Sequence, residues 1–175
     1  EADNDLRWQE LEKLAEELDK WAEVEALFAA WSPLTPEQED DHNTRVPLLR
    51  HVAKIRQDRL GDVDGALEAW ERLYHFEPND SSVVEALEAL YRSRDDDEQL
   101  VRILDARSEL VDMEQRVQLL LEAAMLSDGS LEDVSRAIVF YQRVLEIEPQ
   151  HAQAVKELEG LLRAEERYFD LDELF

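Results

Sequence analysis

The chain has 175 residues, 44% of them hydrophobic, with 4 Gly, 5 Pro and no Cys, and it carries a formal charge of −25 from 44 acids against 19 bases. A field of that sign repels nucleic-acid phosphates and anionic membranes, so neither is expected as a partner, while neutral or basic protein is favoured. Without cysteine there is no disulfide, thiol nucleophile or thiolate metal site, and no apolar run reaches the ~18 residues that a membrane-spanning helix needs.

Leu, Ala and Glu dominate and strand-type alternation is absent, so the composition predicts an all-α chain. Leu11, Leu14, Ala15 and Leu18 keep the i, i+3, i+4, i+7 spacing of one apolar helical face, and Trp21, Val24, Phe28 and Trp31 continue it on a second helix. Pro33, Pro36 and an acidic run make residues 32–43 a linker. Further helices are predicted over about 44–60, 63–76, 81–93, 97–110, 114–127, 131–147 and 151–166, with another begun at 168. Ser81 and Asp97 stand where an N-cap oxygen would accept unpaired first-turn amides. Pro78 and Pro149 end their helices because proline has no amide hydrogen to give.

These elements repeat. At an offset of 71, residues 45–104 align with residues 116–175 without a gap, and 18 of the 60 positions are identical, where roughly four would be expected by chance at ordinary composition. Arg45-Val46-x-Leu48-Leu49 returns as Arg116-Val117-x-Leu119-Leu120, and Asp62-Val63 as Asp133-Val134. Ala66, Trp70, Arg72, Glu77 and Pro78 are answered by Ala137, Tyr141, Arg143, Glu148 and Pro149. A weaker echo at an offset of 76 sets Leu11-Glu12-x-Leu14 beside Leu87-Glu88-x-Leu90. The whole chain, 1–175, is therefore expected to be one array: a half unit over 1–31, the linker 32–43, a four-helix unit over 44–112, and an incomplete unit over 113–175.

No pattern carries chemistry. His42, His51, His75 and His151 form no His-x3-His pair, and Asp40-Asp41-His42 reads as a solvated linker rather than a metal corner. Asp95-Asp96-Asp97-Glu98 lacks the central Gly and alternating ligands of a calcium loop. There is no Gly-rich phosphate loop and no nucleophile motif. No catalytic residue, metal or cofactor is expected. The four Trp residues, 8, 21, 31 and 70, are expected in the core.

Ala66-x3-Trp70-x7-Pro78 and Ala137-x3-Tyr141-x7-Pro149 resemble the second helix of a tetratricopeptide repeat, and spacings of about 34 and 37 residues between helix pairs add up to the 71-residue unit. The sequence departs from that family at Leu87-Glu88, where Leu-Gly would stand, and residues 81–110 lack the Ala and terminal Pro. The resemblance implies antiparallel helical hairpins stacked as a right-handed α-solenoid, with a protein or peptide held in a concave groove against the first helix of each hairpin. It thus implies a non-catalytic scaffold or adaptor. The alternative is a structural spacer within a larger protein whose activity lies elsewhere. On the implied groove stripe stand Ser82, Glu85, Ala89 and Arg92, answered by Gln153, Lys156, Gly160 and Arg163. The stripe is mixed in charge and has no Asn, which speaks against a clamp for an acidic peptide terminus. The opening Glu-Ala-Asp-Asn reads as a cut from a longer array, and Leu171 and Phe175 match Leu100 and Leu104 of a hairpin seam, so end-to-end self-contacts are expected at such ends.

Overall fold

In a computed structural model, which describes residues 2–31, 42–167 and 170, the chain forms nine α-helices and no strand among the described residues. They are α1 (Ala2–Leu18), α2 (Trp21–Trp31), α3 (His42–Ile55), α4 (Val63–Phe76), α5 (Ser81–Ser93), α6 (Asp97–Ser108), α7 (Met113–Gly129), α8 (Val134–Ile147) and α9 (Ala152–Ala164). The 3.6-residue apolar period thus sets the elements, as predicted. The differences lie at the ends. The predicted start of α8 at 131 moves to Val134, because Asp133 caps it by accepting from the Arg136 amide. Ser81 and Asp97 are each one residue late as caps. Asp80 takes the amides of Ser82 and Val83, and Asp96 that of Gln99, because a carboxylate just outside the helix reaches the free amides that one inside cannot.

The chain divides into two compact units, Glu1–Val83 and Val84–Phe175. In the first, α1 packs on α2, α2 on α3 and α3 on α4. Its core includes Ala15, Val24, Phe28, Val52, Ala53, Ala66, Trp70 and Leu73. In the second, α6 packs on α7, α7 on α8 and α8 on α9, around Leu104, Leu120, Ala124, Ala137, Ile138, Tyr141, Val144 and Leu158. Sequential neighbours joined by short turns are antiparallel hairpins.

The turns that follow α1, α3, α5, α7 and α9 each contain one residue in the left-handed region: Asp19, Gly61, Asp95, Glu132 and Glu166, with φ between 52° and 63°. Asp19, Asp95 and Glu166 are related by the offsets of 76 and 71, as Gly61 and Glu132 are by 71. The backbone hydrogen bonds repeat too. Asp62 N–H donates to the Arg56 carbonyl and Asp133 N–H to that of Ser127, each six residues back, at 2.9 and 2.7 Å. The sequence repeat is a repeat of backbone geometry. In the first copy this wide turn is a π-helical segment, Arg56–Leu60, which Gly61 closes at φ +63°.

Two sequence expectations fail in the first unit. Leu14 and Leu18, taken as one buried face with Leu11 and Ala15, are exposed, as is Trp31, taken as core. All three lie on α1 or the end of α2, where no further described helix covers them. Trp8 and Trp70 are buried as expected. Of the expected linker 32–43, His42 and Asn43 instead begin α3, while residues 32–41, with Asp40 and Asp41, and the terminal Leu171 and Phe175 lie outside the described residues.

Arg50 of α3 joins the α4–α5 turn: its Nη2 donates to Glu77 Oε2 at 2.5 Å and Asp80 Oδ2 at 3.0 Å, and its Nη1 to Ser82 Oγ. Burial pushes the Asp80 carboxyl up, but the Ser82 hydroxyl, the Arg50 guanidinium and the Val83 amide outweigh it and hold the pKa at about 2. A folded pKa below the ordinary value of 3.8 stabilises the fold above that value, and the contribution is lost as the pH falls from about 4 to about 2. Acid titration followed by helical circular dichroism should show the stability gap between the wild type and Asp80→Asn closing over that window.

Ala66 of α4 and Ala137 of α8 are both fully buried, at positions related by the offset of 71. Replacing either with Leu should overpack the crossing and cost about 1–3 kcal/mol, read as a lower denaturant midpoint. An unchanged midpoint would show that neither position is a close approach.

Candidate functional site

In the second unit the first helices of successive hairpins, α5, α7 and α9, are linked side by side. Arg92 of α5 donates to Glu122 of α7 at 2.7 Å, and Gln153 Nε2 of α9 lies 3.6 Å from the Met125 sulfur of α7. Helical spacing explains why these residues share one surface. Glu85, Ala89 and Arg92 are exposed at i, i+4, i+7, and Gln153, Lys156, Gly160 and Arg163 repeat that spacing on α9. Ser82, exposed on the first turn of α5, is engaged by Arg50 and Asp80. α7 fills the interval with exposed Gln118, half-buried Glu122 and exposed Met125.

Sequence reasoning missed α7 because the offset of 71 pairs α5 only with α9. The α7 equivalents lie in α3, where Glu122 corresponds to His51 and Met125 to Lys54. The signal that could have found them was the spacing of 118, 122 and 125 at i, i+4, i+7.

The cations of this face are already occupied. Arg92 binds both Glu88 and Glu122, Arg163 binds Glu159, and Lys156 binds Glu157 at 3.0 Å. The hydrogen bond to Glu122 raises the Arg92 pKa above its ordinary value. An incoming carboxylate would have to displace an acid of the chain from each cation.

Glu88 departs most from the resemblance. Where a tetratricopeptide helix has Gly, this carboxylate is 4% exposed and lies between Arg92 Nη1 at 2.7 Å and Arg107 Nη1 of α6 at 2.5 Å. A Gly would let the two helices touch, whereas here an ion pair fills the crossing and ties α5 to α6. No group of three or more His, Asp or Glu residues is placed to hold a metal among the described residues.

The fold is that of an all-α helical repeat of the tetratricopeptide-like kind. Two solved structures of MamA share it: one, a crystal structure of MamA protein, superposes with a TM-score of 0.50 at 12% identity over 100% of this chain and 90% of its own. The other, MamA AMB-1, gives 0.50 at 14% identity over 97% and 87%. No family model matches the chain, and no curated protein matches its sequence. No helix among the described residues is long and apolar enough to cross a membrane.

Removing Glu88 would leave half-buried Arg107 with only the longer, exposed contact to Glu85. Glu88→Ala should cost about 2–3 kcal/mol, less than a fully buried pair because both arginines keep some solvent. Glu85→Ala, which removes an exposed carboxylate 3.7 Å from the same arginine, should shift stability by less than about 0.5 kcal/mol. Equal midpoints for the two variants in urea would show that the buried pair does not hold the hairpin.

Proposed function

We propose that this chain is a non-catalytic interaction module that holds a protein segment against the first-helix face of its second unit. Glu85, Ala89, Arg92, Gln153, Lys156, Gly160 and Arg163 are contact residues, with Gln118, Glu122 and Met125 of α7 between the two rows and Ser82 at the edge. The observation that carries the reading is the α5–α7–α9 surface itself. It is a continuous set of exposed side chains on rigid helices, with Met125, 54% exposed, as its apolar anchor. In this reading the repeat unit is residues 44–112, preceded by the half unit 1–31 and followed by 113–175, and the three first helices form one wall of a groove.

The chemistry of the partner follows from charge. The cations of the face are neutralised by acids of the chain, and the net field is −25, so the segment bound is neutral or basic. The alternative, a structural spacer for activity elsewhere in a larger protein, predicts that this face binds nothing.

An array of neutral, Lys/Arg-rich and Glu-rich peptides tests this. Retention is expected of the first two classes only, with affinity for the basic ones falling as salt rises, because exposed charges are screened over ~8 Å at physiological ionic strength. Met125→Glu should weaken binding about tenfold without changing stability, since its side chain is exposed. Retention of Glu-rich peptides, or crosslinks confined to α6 and α8, would count against the proposal, and no retention at all would favour the spacer.

A further inference from the structure

The turns that lead into α5 and α9 are equivalent at the offset of 71, and they differ at three positions that hydrogen bonds join in the first copy. There, Asp80 caps α5. Its Oδ1 accepts the Ser82 and Val83 amides at 2.8 and 3.3 Å, while Arg50 of α3 donates to its Oδ2 and to Ser82 Oγ. In the second copy His151 stands for Asp80, Leu121 of α7 for Arg50 and Gln153 for Ser82. The three changes fit one another. With an imidazole as the cap a guanidinium has no acid to grip, and Leu121 is 6% exposed, where a lone cation would be costly. The backbone keeps the turn all the same: Asp80 N–H donates to the Glu77 carbonyl at 3.1 Å and His151 N–H to that of Glu148 at 3.0 Å.

His151 begins α9 with φ −66° and ψ 103°, and its Nδ1 accepts the Ala154 amide at 3.2 Å. A backbone N–H only donates, so Nδ1 carries no proton in this bond and the ring is neutral. Ala154 is fully buried, so its amide has no water to fall back on while the ring stays in place. One residue before it, Gln153 joins this first turn to α7, with Nε2 3.6 Å from the Met125 sulfur.

We propose that His151 is a proton-operated cap: neutral, it holds the first turn of α9, and protonated, its Nδ1–H can no longer accept, so the turn loosens and withdraws Gln153 from Met125. Two donors would then face each other, and the imidazolium would stand at the positive end of a helix. Histidine is the side chain that takes up a proton between about pH 8 and about pH 5. The capped turn needs the unprotonated ring, so the open turn binds the proton better. The stability from the cap is therefore present at the high end of that window and lost toward the low end. Asp80, with its pKa at about 2, stays a carboxylate throughout and keeps α5 capped. The charged groups around the turn are Glu146 of α8, Glu148 just past its end, Glu122 of α7, and Lys156 and Glu157 further along α9. Glu122 is held by Arg92 and Glu157 by Lys156. Exposed Glu146 and Glu148 attract an imidazolium and so favour release as the pH falls. The consequence for a bound segment rests on the reading of the α5–α7–α9 face as its contact surface, whereas the cap does not.

The test follows amide hydrogen exchange by NMR on the whole chain from about pH 8 to about pH 5, each rate divided by that of an open amide at the same pH. Protection of Ala154 should fall about fivefold across the window, the size of a lost N-cap, while the Val83 amide under Asp80 keeps its own. His151→Asp and His151→Asn accept throughout the window and should hold Ala154 protected at both ends of it. Constant protection of Ala154 in the wild type would overturn the proposal, as would the same fall in both variants. A Lys/Arg-rich peptide then reads the face: its affinity should fall with pH more in the wild type than in His151→Asn. An equal fall in the two would overturn the coupling of the cap to the face. If neither protein retains the peptide at the high end while the Ala154 result holds, the reading of the face is overturned and the cap stands.

Discussion

A helical hairpin has more apolar surface than its two helices can hide from water, so each hairpin is stable only against a neighbour. That constraint organises both units. In the second, α7 is buried on successive faces by α6 and α8, and Leu120, Ala123, Ala124 and Val117 leave it little more than one strip of solvent-facing side chains. Ala66 and Ala137 are fully buried, and a charge pair, Glu88 with Arg107, joins α5 to α6. On α1, where no further described helix lies alongside, Leu14 and Leu18 are exposed.

Arginine does much of the remaining fastening. Arg50 ties α3 to the α4–α5 turn, Arg56 ties the wide turn after α3 to Glu25 of α2, and Arg143 ties α8 to Asp105 of α6 and to Glu109 just past its end. A planar guanidinium can bridge two acids from different helices, which a lysine does with less geometric definition. In a chain with 44 acids and 19 bases, placing the cations between helices has a second effect. It neutralises acids where they would repel across a packed seam and leaves the excess negative charge facing outward. The same economy makes the first-helix face a poor receptor for anions, because Arg92, Lys156 and Arg163 are held by their own neighbours.

The elements were legible in the sequence because a 3.6-residue apolar period and a 71-residue self-match are local and additive signals. Each helix contributes its own evidence, and 18 identities do not depend on knowing what touches what. The stripe on α5 and α9 was legible for the same reason, since equivalent positions on equivalent helices share a face. The cap positions were not. Whether Ser81 or Asp80 caps α5 turns on a shift of one residue in where the helix begins, which Arg50, from another helix, helps to set through Asp80.

By itself, the sequence determined the helical class and the repeat. Tertiary structure alone decided which apolar faces are covered. Leu14 and Leu90 are the same residue at equivalent positions, yet one is exposed and the other buried, because burial belongs to the neighbour and not to the helix that carries the leucine. It also decided which charges are free: Glu88 looks like any other acid in a chain full of them until Arg92 and Arg107 close on it from two helices. Periodicity is written along one segment, whereas pairing joins residues as far apart as Glu88 and Arg107, at 19 positions, or Asp105 and Arg143, at 38, and a single chain read in order does not say which of those meet.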